Sequence, residues 1–356
     1  MTEQKLDRQP KSTTGKTTTG KTTTGKTTTG KTATGKPATG KTATGKSRPE
    51  GNPKFLWRSG EMVEWDKATV HLSDLAWSAI SAVFEGVRAY WNPESEQLYI
   101  FHLDAHLKRL FQSMKIMRMT SAFSKDELTA AFLQLLKANE CKGDTYIQPL
   151  AYFGGGVPGY MAMLEQPGEI VITTRAAASG LDEAKVVHCN VSSWSRITDN
   201  VMPPRAKAIT NYQNSRYVST ESFINGYDFG IILNPNGKVS EAAYACIFLI
   251  RDGVAITPPL SAGILESITR EALKDLLNKE MDIQVIERDV DRTELYLADE
   301  VFICGTAVEL QSVGSVDRYK VGDGEQGPVV GRLRELFRDV VLGNDLTRSE
   351  WCTPVY

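Results

Sequence analysis

Histidine and cysteine are scarce, and neither falls into a pattern that holds a metal or a disulfide framework. The four histidines are His71, His102, His106 and His188. His102 and His106 stand four apart, but no HExxH surrounds them, so both read as ordinary helix residues. The five cysteines, Cys141, Cys189, Cys246, Cys304 and Cys352, are odd in number and form no CxxC pair. That excludes a zinc ribbon or a secreted disulfide scaffold and points to a reducing cytoplasm. No apolar run is long enough to cross a bilayer, and the start, MTEQKLDRQP, is too polar for a signal peptide. Charge of one sign is missing as well: a formal net charge of −2 over 356 residues argues against nucleic acid as the main partner. The expectation is a soluble protein with no membrane or nucleic-acid partner.

What is present begins with a repeat. Lysines recur at 11, 16, 21, 26, 31, 36, 41 and 46 in a Thr/Gly/Lys unit. The stretch has no large apolar side chain to offset its ordering entropy, so residues 1–50 read as a disordered, cationic tail. Gly15, Gly20, Lys21 and Thr22 match a phosphate-loop pattern by spelling alone, because that loop needs a strand before it and a helix after it.

Over the whole chain, 41% hydrophobic content supports real cores beyond the tail. FLWRSGEMVEW, VFEGVRAYW and QLYIFHL read as strands. The spacing of Leu107, Leu110, Phe111, Met114 and Met117 predicts a helix from Asp104. Ser124 and Glu127 form a capping box for a second helix, 126–139. TYIQPLAYF is a further strand, ending in the Gly154–Gly156 run, which must turn. TTRAAASGLDEAK reads as a connection. It divides a small α+β domain, 51–173, from a larger domain, 185–356, with 174–184 as linker. In the larger domain KVVHCNVSSW is a strand. A hairpin turns at Asn234–Gly237, and a second strand pair turns at Asp252-Gly253. SITREALKDLLNKEM is an amphipathic helix capped by Ser267, and its first amides, at Ile268 and Thr269, form an anion site. DEVFICGTAVEL is an apolar strand running into a Gly305-Thr306-Ala307 turn.

Within RAKAITNYQNSRY, Lys207 sits among small uncharged residues with Tyr212 five positions on. A lysine amine works on carbonyls when desolvation or a neighbouring cation lets it lose its proton. Glu241 ends the GKVSEA strand. Arg109 has the side chain best shaped for a phosphate. An amine, a carboxylate, a phenol and phosphate donors together are what a pyridoxal phosphate site requires.

The order of FEGVRAY, HLDAHLKRL, YIQPLAYFGGG, AKAITNYQNS, GKVSEA, TPPLSAGILESITREAL and LADEVFICGTAVE resembles the branched-chain amino acid aminotransferase family. That family belongs to the fold-type IV, D-amino acid aminotransferase-like, pyridoxal 5′-phosphate enzymes. The resemblance runs from about Phe55 to the C-terminus. It implies a two-domain α+β / α/β homodimer and ping-pong transamination between a hydrophobic, branched-chain L-amino acid and a 2-oxo acid. It makes Lys207 the Schiff-base lysine and proton shuttle. Glu241 pairs with the pyridinium nitrogen, Tyr212 hydrogen-bonds the phenolic oxygen and Leu265 packs on the ring. Arg109, the amides of Ile268 and Thr269, and the Thr306 hydroxyl hold the phosphate. Gly86, Arg88, Tyr146, Gln148, Thr306 and Ala307 line the substrate side, where Tyr146 and the Thr306–Ala307 amides receive the α-carboxylate.

Several positions depart from the family pattern. Ile209 and Thr210 replace two glycines. Gln148 replaces the arginine that receives the side-chain carboxylate of glutamate, a role Arg88 is then placed to fill. Ala79 replaces a pocket tyrosine, residues 242–246 replace a GxGEN segment, and Thr174-Arg175-Ala176 replaces an aromatic Pro-Trp-Gly segment. The cofactor residues are kept and the substrate pocket is altered, which predicts a shifted side-chain preference. Two alternatives stand beside this reading. One is another fold-type IV activity, such as a D-amino acid or amine transaminase or aminodeoxychorismate lyase. The other is a non-catalytic binding protein that uses the basic tail.

Overall fold

The computed structural model describes residues 51–154 and 166–356, apart from the side chains of residues 76, 77 and 166. The repeat tail and Gly155 and Gly156 of the glycine run lie outside the described residues. The described residues form one compact unit built on two large sheets.

The first sheet has eight strands. Along its main path they run Cys352–Pro354, Gln97–Phe101, Val87–Asn92, Thr145–Tyr152, Glu169–Ala176, Phe55–Arg58 and Glu61–Glu64. The short strand Val83–Phe84 pairs beside Thr145–Tyr152. Helices α1 (Leu72–Ser81), α2 (Leu103–Ile116) and α3 (Lys125–Ala138) accompany it. In α2, Leu103, Leu107, Leu110 and Met114 repeat at helical spacing and are buried with Leu128, Phe132 and Leu135 of α3. The Ser124–Glu127 capping box forms as the sequence predicts, with Ser124 Oγ accepting from the Glu127 amide.

The second sheet has nine strands. Here Val186–Ser195 lies parallel to both Phe229–Leu233 and Glu309–Val316, while Cys246–Arg251 and Glu300–Gly305 pair antiparallel. Helices α4 (Tyr212–Ile224), α5 (Ile268–Glu280) and α6 (Pro328–Val341) go with it. Leu273, Leu276 and Leu277 of α5 pack with Val330, Leu333 and Phe337 of α6 over Phe248 and Phe302. Val187, Ile231, Ile247, Ile303 and Val313 form a separate buried cluster.

Three expectations from the sequence need correction. Thr174–Ala176, read as the start of a linker, are strand, because the Glu169–Ala176 strand stays paired with Thr145–Tyr152 up to Ala176. The C-terminal strand Cys352–Pro354 pairs with Gln97–Phe101, so the end of the chain completes the first sheet. His102, read as a helix residue, is the residue before α2 and has a left-handed backbone (φ 49°), while His106 is on α2 as read and is buried against Glu85. Helices α1, α4 and α6 have no counterpart among the elements read from the sequence. Among its described side chains α4 buries only Ser215, Val218 and Ser222, too little apolar surface for a periodic signal.

Candidate active site

Lys207 is held by its backbone before its side chain is considered. Its amide donates to Ser113 Oγ of α2 (3.0 Å), and its carbonyl accepts from the Phe84 amide (3.0 Å). The buried Asn211 amide group donates to the carbonyls of Pro203 and Ala206, both at 2.9 Å, closing the turn around it. Ile209 and Thr210 then enter a short 3-10 turn, and neither has a positive φ, so this chain has no need of glycine there. The Lys207 amine donates to Tyr212 Oη at 2.7 Å. It also lies 4.8 Å from the Phe84 ring centroid and 5.2 Å from that of Tyr212. The amine therefore lies beside two aromatic rings that meet edge to face, their centroids 4.8 Å apart.

Glu241 stands on the buried strand Val239–Ala242. One carboxylate oxygen is 2.8 Å from Arg196 Nη2, and the other accepts from the Leu265 amide at 3.0 Å. Burial raises its pKa against the opposing pull of Arg196, the Leu265 amide and Lys207. Arg196 is aimed in turn by the Gly263 carbonyl, which accepts from Arg196 Nε at 2.9 Å. Gly263 sits at φ 84°, where a side chain would be strained.

Arg109 is buried, not solvated. Its Nε and Nη2 donate to the two oxygens of Glu85 at 2.6 and 2.7 Å, and Nη1 donates to the Glu266 carbonyl at 2.5 Å. Glu85 is completely buried and also meets His106 Nδ1 at 2.9 Å. Burial pushes the Glu85 carboxyl up, but the Arg109 charge and the bonds from Arg109 and His106 outweigh it and hold the pKa far below the usual range. Burial lowers His106, with Glu85 opposing, so the imidazole is the uncharged member of this cluster.

A cavity of about 300 Å³ joins these groups. It is lined by Gly86, Arg109, Tyr146, Lys207, Tyr212, Glu241, Leu265, Thr306 and Ala307 among the residues singled out from the sequence. Gly86 is required by close approach: a Cβ there would lie 2.0 Å from Tyr146 Oη. Ile268 and Thr269 do not line the cavity, but Ser267 does, and as the first residues of α5 they carry amides with no intrahelical acceptor.

Arg88 and Gln148 are not brought to the lining. Arg88 is buried and committed elsewhere. Its Nη1 pairs with Glu309 at 3.0 Å and approaches the carbonyls of Ala177 and Ala178, both at 3.4 Å. It therefore has no charge left for a substrate carboxylate. Gln148 follows Tyr146 on the same face of its strand but stops outside the cavity. Reading the sequence missed Arg196, Glu85 and His106. Glu85 and the i, i+3 pair His106 and Arg109 lie within quoted motifs, so a buried acid facing one side of a helix was a usable signal. Arg196 had no local signal, since 45 positions separate it from Glu241.

Residues 82–316 match the model of the amino-transferase class IV family. The chain is 39% identical over 302 residues to a probable branched-chain-amino-acid aminotransferase of Aquifex aeolicus, covering 85% of this chain and 97% of that one. Its structure is similar to that of the Thermobaculum terrenum branched-chain amino acid aminotransferase in its PLP form. That likeness has a TM-score of 0.84 at 45% identity and covers 86% of this chain and all of the other. It is also similar to the branched-chain aminotransferase of the archaeon Thermoproteus uzoniensis with norvaline, at TM-score 0.79 and 35% identity over 85% and 100% of the two chains. A half-buried lysine–phenol pair sharing a cavity with a carboxylate held by arginine, and likeness over nearly the whole length of these relatives, lead to one conclusion: the chain belongs to the amino-transferase class IV family, among its branched-chain-amino-acid aminotransferases.

Proposed function

We propose that this chain transfers the amino group of a branched-chain or other hydrophobic L-amino acid to a 2-oxo acid, using pyridoxal 5′-phosphate held in the cavity described above. The observation that carries the proposal is the Lys207 amine 2.7 Å from Tyr212 Oη, in a cavity that also exposes the Glu241 carboxylate. The donor set fits the cofactor in chemistry: an amine for its aldehyde, a phenol for its phenolic oxygen, a buried acid for its ring nitrogen and a cation for its phosphate. When bound, the cofactor supplies an electron sink for negative charge at the substrate Cα.

The chain's own residues do the rest. Lys207 would take and return the Cα proton, and the Phe84 and Tyr212 rings beside it cover part of that amine. Tyr212 would hold the cofactor's phenolic oxygen and Leu265 one ring face. Glu241 would hold the ring-nitrogen proton, its charge supported by Arg196. Arg109, aimed by Glu85, would take the phosphate with the amides of Ile268 and Thr269 and the Thr306 hydroxyl. Tyr146 and the Thr306–Ala307 amides would take the α-carboxylate beside Gly86.

We also propose a homodimer, with a small domain that runs from residue 51 through the strand ending at Ala176, a connection over 177–184 and a larger domain 185–356. Exposed Leu72, Leu75 and Ile80 on α1 support a partner surface. Cytoplasmic residence is supported by five unpaired cysteines. No helix among the described residues is long and apolar enough to cross a membrane.

The test is a half-reaction screen of the cofactor-loaded protein with single amino acids, following loss of its visible absorbance. L-leucine, L-isoleucine and L-valine are expected to bleach the colour and release the matching 2-oxo acids. Bleaching only by D-amino acids or amines would overturn the substrate assignment. Lys207→Ala is expected to lose the borohydride-reducible colour, and colour that survives reducibly in that variant would place the reacting amine elsewhere.

A further inference from the structure

We propose that Arg175 receives the distal carboxylate of a dicarboxylic substrate, such as glutamate or 2-oxoglutarate, in the site where Gln148 cannot. The proposal rests on the transaminase reading above and names the second substrate class of that same site.

Tyr146 lies in the middle of a row across three strands, opposite Arg88 on one side and opposite Arg175 on the other. Directly paired residues share one face of a sheet, so all three side chains stand on one face, and of the three only Tyr146 lines the cavity itself. The two arginines differ in what they face. Arg88 is buried and spent on Glu309 and two carbonyls. Arg175 is exposed, and it makes no ion pair or side-chain hydrogen bond among the described residues. The nearby acids are engaged too: Asp144 accepts from the Trp91 and Ser179 amides, and Glu309 also accepts from Ser179 and Gly180.

The Arg175 guanidinium is not loose, however. It lies over the Tyr146 ring, with Cζ 4.4 Å from the centroid. That contact parks the charge beside a cavity-lining residue and is weak enough at an exposed site to be exchanged for a carboxylate. Gln148 pairs with Thr173, so Arg175 is its diagonal neighbour, about 7–8 Å away and within reach of a long side chain. The positive charge absent at Gln148 is thus supplied from the next strand. An arginine stacked on an aromatic ring also suits both halves of the reaction. It would stay over the Tyr146 ring when the substrate side chain is apolar, and offer two parallel hydrogen bonds when that side chain is a carboxylate.

The test compares wild-type holoenzyme with Arg175→Ala and Arg175→Lys. Half-reactions with L-glutamate and L-leucine are resolved into KM and kcat. Thermal shift is measured separately with glutarate and with 4-methylvalerate, which need no turnover. Arg175→Ala is expected to raise KM for L-glutamate by about 10- to 100-fold, the range for a lost hydrogen-bonded charge. L-leucine should change by less than about twofold, being indifferent to a charge it never pairs with. Protection by glutarate should vanish while that by 4-methylvalerate stays, and Arg175→Lys should recover part of both losses. Equal effects on both amino acids, unchanged glutamate kinetics, or no glutarate protection of the wild-type protein would each overturn the proposal. If no amino acid bleaches the wild-type protein, the transaminase reading fails, and glutarate protection still decides the role of Arg175.

Discussion

Replacing Glu85 by glutamine changes one oxygen to an amide nitrogen, at a side chain that is 0% exposed and accepts from both Arg109 and His106. The amide NH₂ cannot accept from the donor it then faces, so at least one charge-assisted bond is lost and the buried guanidinium loses its counter-charge. Breaking a buried ion pair by removing one partner costs about 3–5 kcal/mol. At about 2 °C per kcal/mol for a chain of this size, the melting temperature of the cofactor-free protein should fall by about 6–10 °C. The fall should shrink when the cofactor is present, because its phosphate would give Arg109 a second anion. Thermal melts of both forms, with cofactor affinity from fluorescence titration, measure this. A Glu85→Gln protein that melts within about 1 °C of wild type and binds cofactor unchanged would refute the reasoning.

Gly86→Ala is expected to keep the fold and lower kcat/KM by about 100-fold, because the added methyl displaces the Tyr146 hydroxyl from the cavity wall; steady-state kinetics beside a normal circular dichroism spectrum check it. Burial lowers the pKa of His102 from 6.5 to about 4, so the folded state binds this proton later than the unfolded state does. The stability it secures is complete above pH 6.5 and falls by about 1.4 kcal/mol per pH unit toward pH 4. Asparagine tolerates the left-handed backbone at this position, so urea titrations of His102→Asn should show a flatter acid limb than wild type.

The elements that were legible share one property: their signal is local. The capping box at Ser124, the apolar stripe of α2, the cap of α5 and the alternating strands all follow from neighbours a few positions apart. The order of motifs then placed Lys207, Tyr212, Glu241 and Arg109 in one family's site, and the cavity does hold all four. Helix α4 was not legible because it buries two serines and only one apolar side chain, Val218. The strand end at Thr174–Ala176 was not, because its composition resembles a connection and only pairing with Thr145–Ile147 makes it a strand.

Local pattern determined the strands and amphipathic helices of this chain, and the order of its motifs determined the family it belongs to. Tertiary structure decided which charges are available. Arg88, Arg109, Arg175 and Arg196 are the same residue type in the sequence. Folding commits Arg88 to Glu309, Arg109 to Glu85 and Arg196 to Glu241, while Arg175 rests on a tyrosine ring. Buried cations must find carboxylates because desolvation leaves them no alternative, and those partners come from distant parts of the chain. A guanidinium's role is therefore set by what the fold places opposite it.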